Sequence, residues 1–505
     1  MRLNNEGLKD IEAWKAKGYK LPEYDREAVK ANTAINPKWI HFGAGNIFRA
    51  FQANVCQNLL NSKAMDTGLI VAEGYDYEIV EKYNRPHDDL SILVTLKADG
   101  TVDKTVVGSI VESCILDEEN DKEINRLREI FRAPSLQMVS FTITEKGYKT
   151  AAYMSKVTRL LYERFLAGAL PVAMVSMDNC SHNGDKLFEA VLAFAKEWEE
   201  QGVCNKGFVD YVTDKSKVTF PLSMIDKITP RPDSVIEQML LEDGIEDLEQ
   251  IVTTKNTYVA PFVNAEETEY LVIEDLFPNG RDELEKGGII FTDRETVDKT
   301  EKMKVCTCLN PLHTALAVYG CLLGFTSIHD EMSDVTLNSL VHKLGLIEGM
   351  PVVVDPKVIS PHDFIDAVLH KRLPNPFMPD TPQRIACDTS QKLPIRFGET
   401  IKAYRNREDL TTDSLVLVPL VLAGWCRYLK AVDDNGNAFE LSPDPLLDEL
   451  KSMDVKDILK REDIFAVNLY EDGLAQKVLD IYNELCQGPG AVRKVLEKYV
   501  DSVLA

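Results

Sequence analysis

The amino-acid sequence predicts an α/β fold, with an N-terminal Rossmann-like, doubly wound sheet domain at residues 1–290 and a mostly α-helical C-terminal domain at residues 291–505. Three observations carry this. The chain has 505 residues, past the roughly 250–300 at which one hydrophobic core stops growing, so it holds two domains or three. Between Lys38 and Glu199 short apolar runs alternate with helix-patterned stretches, which points to a largely parallel sheet with helices on its faces. From about Arg294 onward the apolar period is helical almost throughout.

The first 35 residues are polar, with helical and turn character. Trp39-Ile40-His41-Phe42 reads as a strand, Gly43-Ala44-Gly45 as a turn, and residues 46–60 as a helix with Ile47, Phe51, Val55 and Leu59 on its apolar side. A second apolar strand, Leu69-Ile70-Val71-Ala72, runs into Glu73-Gly74-Tyr75-Asp76. Further strands are expected at 91–96, 105–110, 138–143 and 171–177, and a helix at 186–199. Past a glycine hinge at Lys286-Gly287-Gly288, helices are expected at 309–325, 337–346, 361–369, 413–432, 445–453, 474–487 and 492–503.

With 45% hydrophobic and 27% charged residues, the composition is that of a folded globular chain. The formal net charge of −24, from 81 acidic and 57 basic residues, argues against nucleic acid as a partner, since a phosphate-gripping face needs an excess of Lys and Arg. An anionic small molecule stays compatible, because a few basic groups suffice for one positive pocket. The N-terminal stretch lacks the apolar core of a signal peptide and no run of about 18 apolar residues stands out, so a cytoplasmic protein without a membrane partner is expected. The ten cysteines are scattered, and the close pair Cys306 and Cys308 has no second pair or histidine cluster beside it. Free thiols and no metal site are expected.

Gly43-x-Gly45, after a strand and opening a helix, is the strongest local signal for a dinucleotide. Missing side chains at Gly43 and Gly45 let a pyrophosphate approach the backbone, with Asn46 and Ile47 at the helix N-terminus. Phe48 stands where the usual third glycine falls, with Arg49 next, and a plain tight turn is the competing reading. Glu73 or Asp76 lies where a carboxylate binds the adenosine ribose and repels a 2′-phosphate, which favours NAD over NADP. Met177-Asp178-Asn179-Cys180-Ser181-His182-Asn183-Gly184 follows an apolar strand, the place where doubly wound sheets bind ligands, although the same residues suit turns and caps. Lys304, Asn310 and His313 are suitable types to exchange a carbinol proton and hold an alkoxide. The alternatives are an exposed lysine, a helix-starting Asn310-Pro311 and a core histidine.

Taken in order, these segments resemble the mannitol dehydrogenase family of long-chain polyol and hexuronate dehydrogenases. The residues that carry the resemblance are His41 to Gly45 with Arg49; Thr142 to Tyr148; Asp178-Asn179 with Asn183-Gly184; Asp226 to Pro230; Val272 to Asp275 with Gly280-Arg281; Lys304 with Asn310 and His313; Asn375-Pro376 with Asp380-Thr381; and Arg384 with Lys392. The resemblance implies metal-independent hydride transfer between NAD(H) and a secondary alcohol or ketone, in a cleft between a Rossmann-like and a helical domain. It implies Lys304 as general base in oxidation and acid in reduction, and Asn179 and Asn310 polarising the substrate oxygen. It further implies His313 orienting the substrate, Glu145 and Asp226 tuning proton exchange or the local field, and Arg384 and Lys392 reaching hydroxyls or a carboxylate.

Between Lys304 and Asn310 stand five residues, one more than the family pattern has. In an unbroken helix at about 100° per residue, the nine-residue step from Lys304 to His313 would put them on opposite faces. Pro311 cannot donate to the carbonyl of Thr307, so a π-bulge, a kink or a helix start between 304 and 311 is expected to absorb the surplus residue. The leading expectation is reduction of D-fructuronate to D-mannonate, the acid being favoured by Arg384, Lys392 and nearby Arg396. The rivals are mannitol to fructose, a dinucleotide-binding protein that has lost catalysis and, behind both, a zinc alcohol dehydrogenase.

Overall fold

The computed structural model describes residues 1–504. Trp39–Phe42 (β1), buried along its whole length, lies inside a parallel sheet with Leu69–Glu73 (β2), Ile110–Ile115 (β3), Met138–Phe141 (β4), Val172–Ser176 (β5) and Val218–Thr219 (β6). Their order is β3-β2-β1-β4-β5-β6, with every neighbour parallel and Ile40 between Ile70 and Val139. The strands are apolar at almost every position because both faces are covered. Trp39, Val71 and Val175 pack with Val55 and Leu59 of the helix Gln52–Asn61. Ile40, Ile70 and Met174 point the other way, onto Leu127, Val157, Leu161, Leu187 and Val191 of the helices Asp121–Arg132, Ala151–Leu166 and Asn183–Glu200.

The run expected as one strand at 105–110 is split between two sheets. Val102–Val107 pairs antiparallel with Ser91–Leu96, and after Gly108 and Ser109 the chain re-enters the main sheet as β3. Arg26 holds this crossing by donating from Nε to the Gly108 carbonyl (2.9 Å) and from Nη2 to that of Ile110 (2.8 Å). Phe262–Glu266 extends the second sheet in parallel on Ser91–Leu96. Ser223–Asp226 pairs antiparallel with Tyr270–Glu274, which pairs in parallel with Ile290–Thr292.

The chain forms two compact units, residues 1–97 with 101–297, and residues 98–100 with 298 onward. The division falls inside the helix Arg294–Lys302. In the second unit the helices Asn310–Leu323 and Leu417–Tyr428 are apolar nearly all round and deeply buried, as core helices must be. Tyr319 ties one to the other by donating to the Leu420 carbonyl at 2.8 Å. The helical stretch Arg294–Leu323 contains a window whose mean hydropathy reaches that of a membrane span, but 78% of that window is buried inside the protein, as in a core helix. Several helices of this unit run on as π-turns, at Met303–Cys308, Leu344–Gly349, Val368–Arg372 and Pro394–Gly398.

Candidate active site

In the first unit the turn after β1 is built for glycine at Gly43. Its φ is +107°, and a Cβ there would lie 2.4 Å from the Thr142 carbonyl oxygen. Gly45 differs, since a Cβ added to it meets nothing within 4 Å, so open space lies over the turn where Asn46 and Ile47 begin a helix. Phe48, in place of a third glycine, stacks on His41 at 4.1 Å between ring centroids, and an aromatic pair substitutes for close helix–strand approach. His41 bonds Ser140 Oγ (2.7 Å) and Thr142 Oγ1 (2.8 Å), and burial pushes its pKa down to about 3, so it is a neutral strut. Arg49 is structural as well, donating to the Ala260 carbonyl and to Asn46 Oδ1, both at 2.8 Å.

The two acidic candidates at the end of β2 lie inward rather than in solvent. Glu73 Oε2 accepts from the Ala44 amide (2.8 Å), and Oε1 accepts from the amides of Tyr75 (2.8 Å) and Asp76 (3.1 Å). Asp76 accepts from Thr253 Oγ1 at 2.6 Å. Both side chains are buried, and a desolvated carboxylate takes whatever donors the backbone offers. Glu73 thus fixes the glycine turn and Asp76 pins the loop at Thr253. Beside them opens a cavity of about 530 Å³ lined by Tyr75, Asp76, Tyr153, Lys156 and Lys255, at the carboxyl edge where such sheets bind ligands.

At the end of β5, Asp178 accepts from the amides of Ile143 (3.1 Å) and Thr144 (2.7 Å) and from Tyr148 Oη (2.5 Å). It thereby joins the Asn179 loop to the Glu145 loop, where Thr144 has φ +64°. Asn183 locks the same loop to Ser223, donating to its carbonyl (3.0 Å) and accepting from its amide (3.1 Å). Asn179 is exposed, and Glu145 is an exposed carboxylate held below its ordinary range by Lys149 and Lys186. Asp226 is buried at the end of its strand.

The second unit holds Lys304, Asn310 and His313 on one helical stretch. The Leu309 amide donates to the Lys304 carbonyl, five residues back, at 3.1 Å, so the surplus residue is absorbed by a π-turn before Asn310–Leu323 begins. With one residue taken up, Lys304 and His313 are in effect eight α-helical steps apart, roughly 80° around the axis instead of opposite. Lys304 is 4% exposed and does not point to solvent. His313 Nε2 lies 3.5 Å from Asp380 Oδ2, and Asp380 also pairs with Arg384. Burial first, then Arg396, Arg372, Arg384 and Lys392, push the His313 pKa down to about 3, so its imidazole is neutral.

Arg384 is 61% exposed, whereas Lys392 is half-buried and donates to the carbonyls of Ile385 (3.1 Å) and Cys387. Arg372 was missed from sequence, because Lys371-Arg372 reads as a solvated charge pair; it is 4% exposed.

A parallel sheet in the order 3-2-1-4-5-6 with a glycine turn after its first strand defines a Rossmann-type dinucleotide-binding protein. The model of the mannitol dehydrogenase Rossmann domain matches residues 37–286, and that of the mannitol dehydrogenase C-terminal domain matches residues 296–499. The chain belongs to the mannitol dehydrogenase family. A D-mannonate oxidoreductase from Thermotoga maritima is 49% identical, over 99% of both chains. A mannitol 2-dehydrogenase from Pyrenophora tritici-repentis is 28% identical over 94% of this chain and 81% of its own. Among solved structures, the Pseudomonas fluorescens mannitol 2-dehydrogenase, in ternary complex with NAD and D-mannitol, has 26% identity, a TM-score of 0.71 and full coverage of both chains.

Proposed function

We propose that the protein is an NAD-dependent oxidoreductase interconverting D-fructuronate and D-mannonate, without a metal, with Lys304 as the proton donor and acceptor. The observation that carries the acid substrate is the charge around His313. Arg396, Arg372, Arg384 and Lys392 all act electrostatically on its imidazole, and Asp380 Oδ2 lies 3.5 Å from its Nε2. The relative from Thermotoga maritima, named for D-mannonate, supports the same reading.

The first unit is assigned the cofactor. Gly43 and Gly45 leave the backbone bare, Asn46 and Ile47 present helix N-terminal amides, and the open space over Gly45 fits a pyrophosphate. NAD(H) supplies or accepts the hydride when bound. In reduction, Lys304 gives its Nζ proton to the carbonyl oxygen as that becomes a hydroxyl, and in oxidation it takes the proton back. Burial of Lys304 keeps water from competing for that proton. The Asn310 amide donates to the same oxygen, and neutral His313, steadied by Asp380, orients a neighbouring hydroxyl. Arg384 and Lys392 take the carboxylate or distal hydroxyls. Asn179, Glu145 and Asp226 enter this reading on motif position alone. Ten free thiols, six of them buried, fit a reducing compartment, and we place the reaction in the cytoplasm.

Mannitol-to-fructose oxidation is the second reading, favoured by the whole-chain match to the mannitol 2-dehydrogenase complex. Hydride transfer from NADH to fructuronate, tagaturonate and fructose, with a chelator present, separates them. The proposal expects the highest kcat/KM on fructuronate and no effect of chelation; a large preference for fructose, or activity restored only by zinc, overturns it.

A further inference from the structure

The guanidinium of Arg396 stands on the helix that carries Asn310 and His313. Its Nη1 donates to Thr314 Oγ1 at 2.6 Å and lies 3.4 Å from the Asn310 carbonyl oxygen. Thr314 Oγ1 in turn donates to that carbonyl at 3.0 Å, so one end of the fork is anchored one residue from His313. Nε and Nη2 have no acceptor among the described residues, and neither is sealed from solvent. Arg396 also forms no ion pair with a carboxylate among the described residues, although burial is strong enough to push its pKa down to about 10. Its position is set by the π-turn Pro394–Gly398.

A guanidinium with one nitrogen pinned and its Nε–Nη2 edge open presents two parallel N–H groups to a planar anion. We propose that Arg396 is the specificity-determining residue for the acid, its Nε–Nη2 edge clamping the substrate carboxylate in two parallel hydrogen bonds. This rests on the hexuronate reading above. Exposed Arg384 and tethered Lys392 then serve hydroxyls, and Arg396 separates a sugar acid from a polyol of the same length.

The test compares kcat/KM on fructuronate and on fructose with NADH for the wild type, Arg396→Gln and Arg396→Lys. If fructose is not turned over, the inhibition constant of mannitol against fructuronate replaces it. Loss of one partner of a buried charge pair predicts a fall of about 100-fold on the acid for Arg396→Gln, through KM, with the uncharged sugar changed less than about threefold. Arg396→Lys keeps the charge but not the fork and is expected to fall about tenfold on the acid alone. Should Arg396→Gln not fold, the lysine variant decides by the same selectivity. Equal losses on both sugars, or no loss on the acid, overturn the clamp and leave the hexuronate reading standing. A wild type inactive on every hexuronate overturns both.

Discussion

Arg396, Arg372, Arg384 and Lys392 act on His313 and Asp380 lies within ion-pair range of it, yet burial is the first reason that its imidazole stays neutral. Burial acts in the opposite sense on Glu331, whose carboxyl has no hydrogen-bond partner, lies against Gly320 and has its pKa pushed up to about 9. The folded carboxyl thus keeps its proton up to about pH 9, whereas the unfolded one ionises near its ordinary 4.5. Unfolding releases a proton in that window, so stability is greatest below it and falls as pH rises, by about 1.4 kcal/mol per pH unit. Glu331→Gln is expected to flatten the melting temperature between pH 5 and 8, and parallel curves for variant and wild type would contradict this. The glycine turn offers a paired test. Gly43→Ala forces a Cβ against the Thr142 carbonyl in a left-handed conformation and should lower both the melting temperature and NADH affinity. Gly45→Ala meets only open space and should leave the melting temperature unchanged while weakening NADH at least tenfold, as read by fluorescence titration.

Among the elements, three of the π-turns carry basic residues that bear on the assigned site. Met303–Cys308 carries Lys304, Val368–Arg372 carries Arg372, and Pro394–Gly398 carries Arg396, and such turns re-aim side chains that an α-helix would send elsewhere. Deleting Cys306 removes the surplus residue and lets the helix run straight through, with Lys304 and His313 still on one side, so kcat should stay within about tenfold of wild type. Inserting an alanine after Cys306 instead swings Lys304 about 100° around the axis, and kcat should fall about 10³-fold. Equal loss in both would mean that the bulge itself, not the register, is required. The bulge at Lys304 was legible from the count to Asn310 and from Pro311. The bulge at Arg372 was not, because nothing in Val368–Arg372 interrupts a helical pattern, and at Arg396 Pro394 and Gly398 mark a break without a second motif residue whose count would expose a surplus one. The split at Gly108 was equally hidden, since apolar alternation continues on both sides of it while the chain changes sheet.

At the scale of the whole molecule, length and the switch of apolar period gave the two-part architecture, and glycine spacing located the turn after β1. The types of the candidate residues were legible too, but not which of them are already engaged. Glu73 stands where a ribose ligand belongs, and only folding reveals that three amides claim its carboxylate. A net charge of −24 likewise conceals the cations that act on His313. With the cofactor assigned to the first unit and the proton to a lysine of the second, the two functions must come apart on mutation. The most direct measurement is single-turnover oxidation of NADH by fructuronate in Lys304→Ala, beside fluorescence titration of NADH binding. NADH affinity is expected within about twofold of wild type and hydride transfer slowed by about 10³-fold; transfer at the wild-type rate would remove Lys304 as the proton donor.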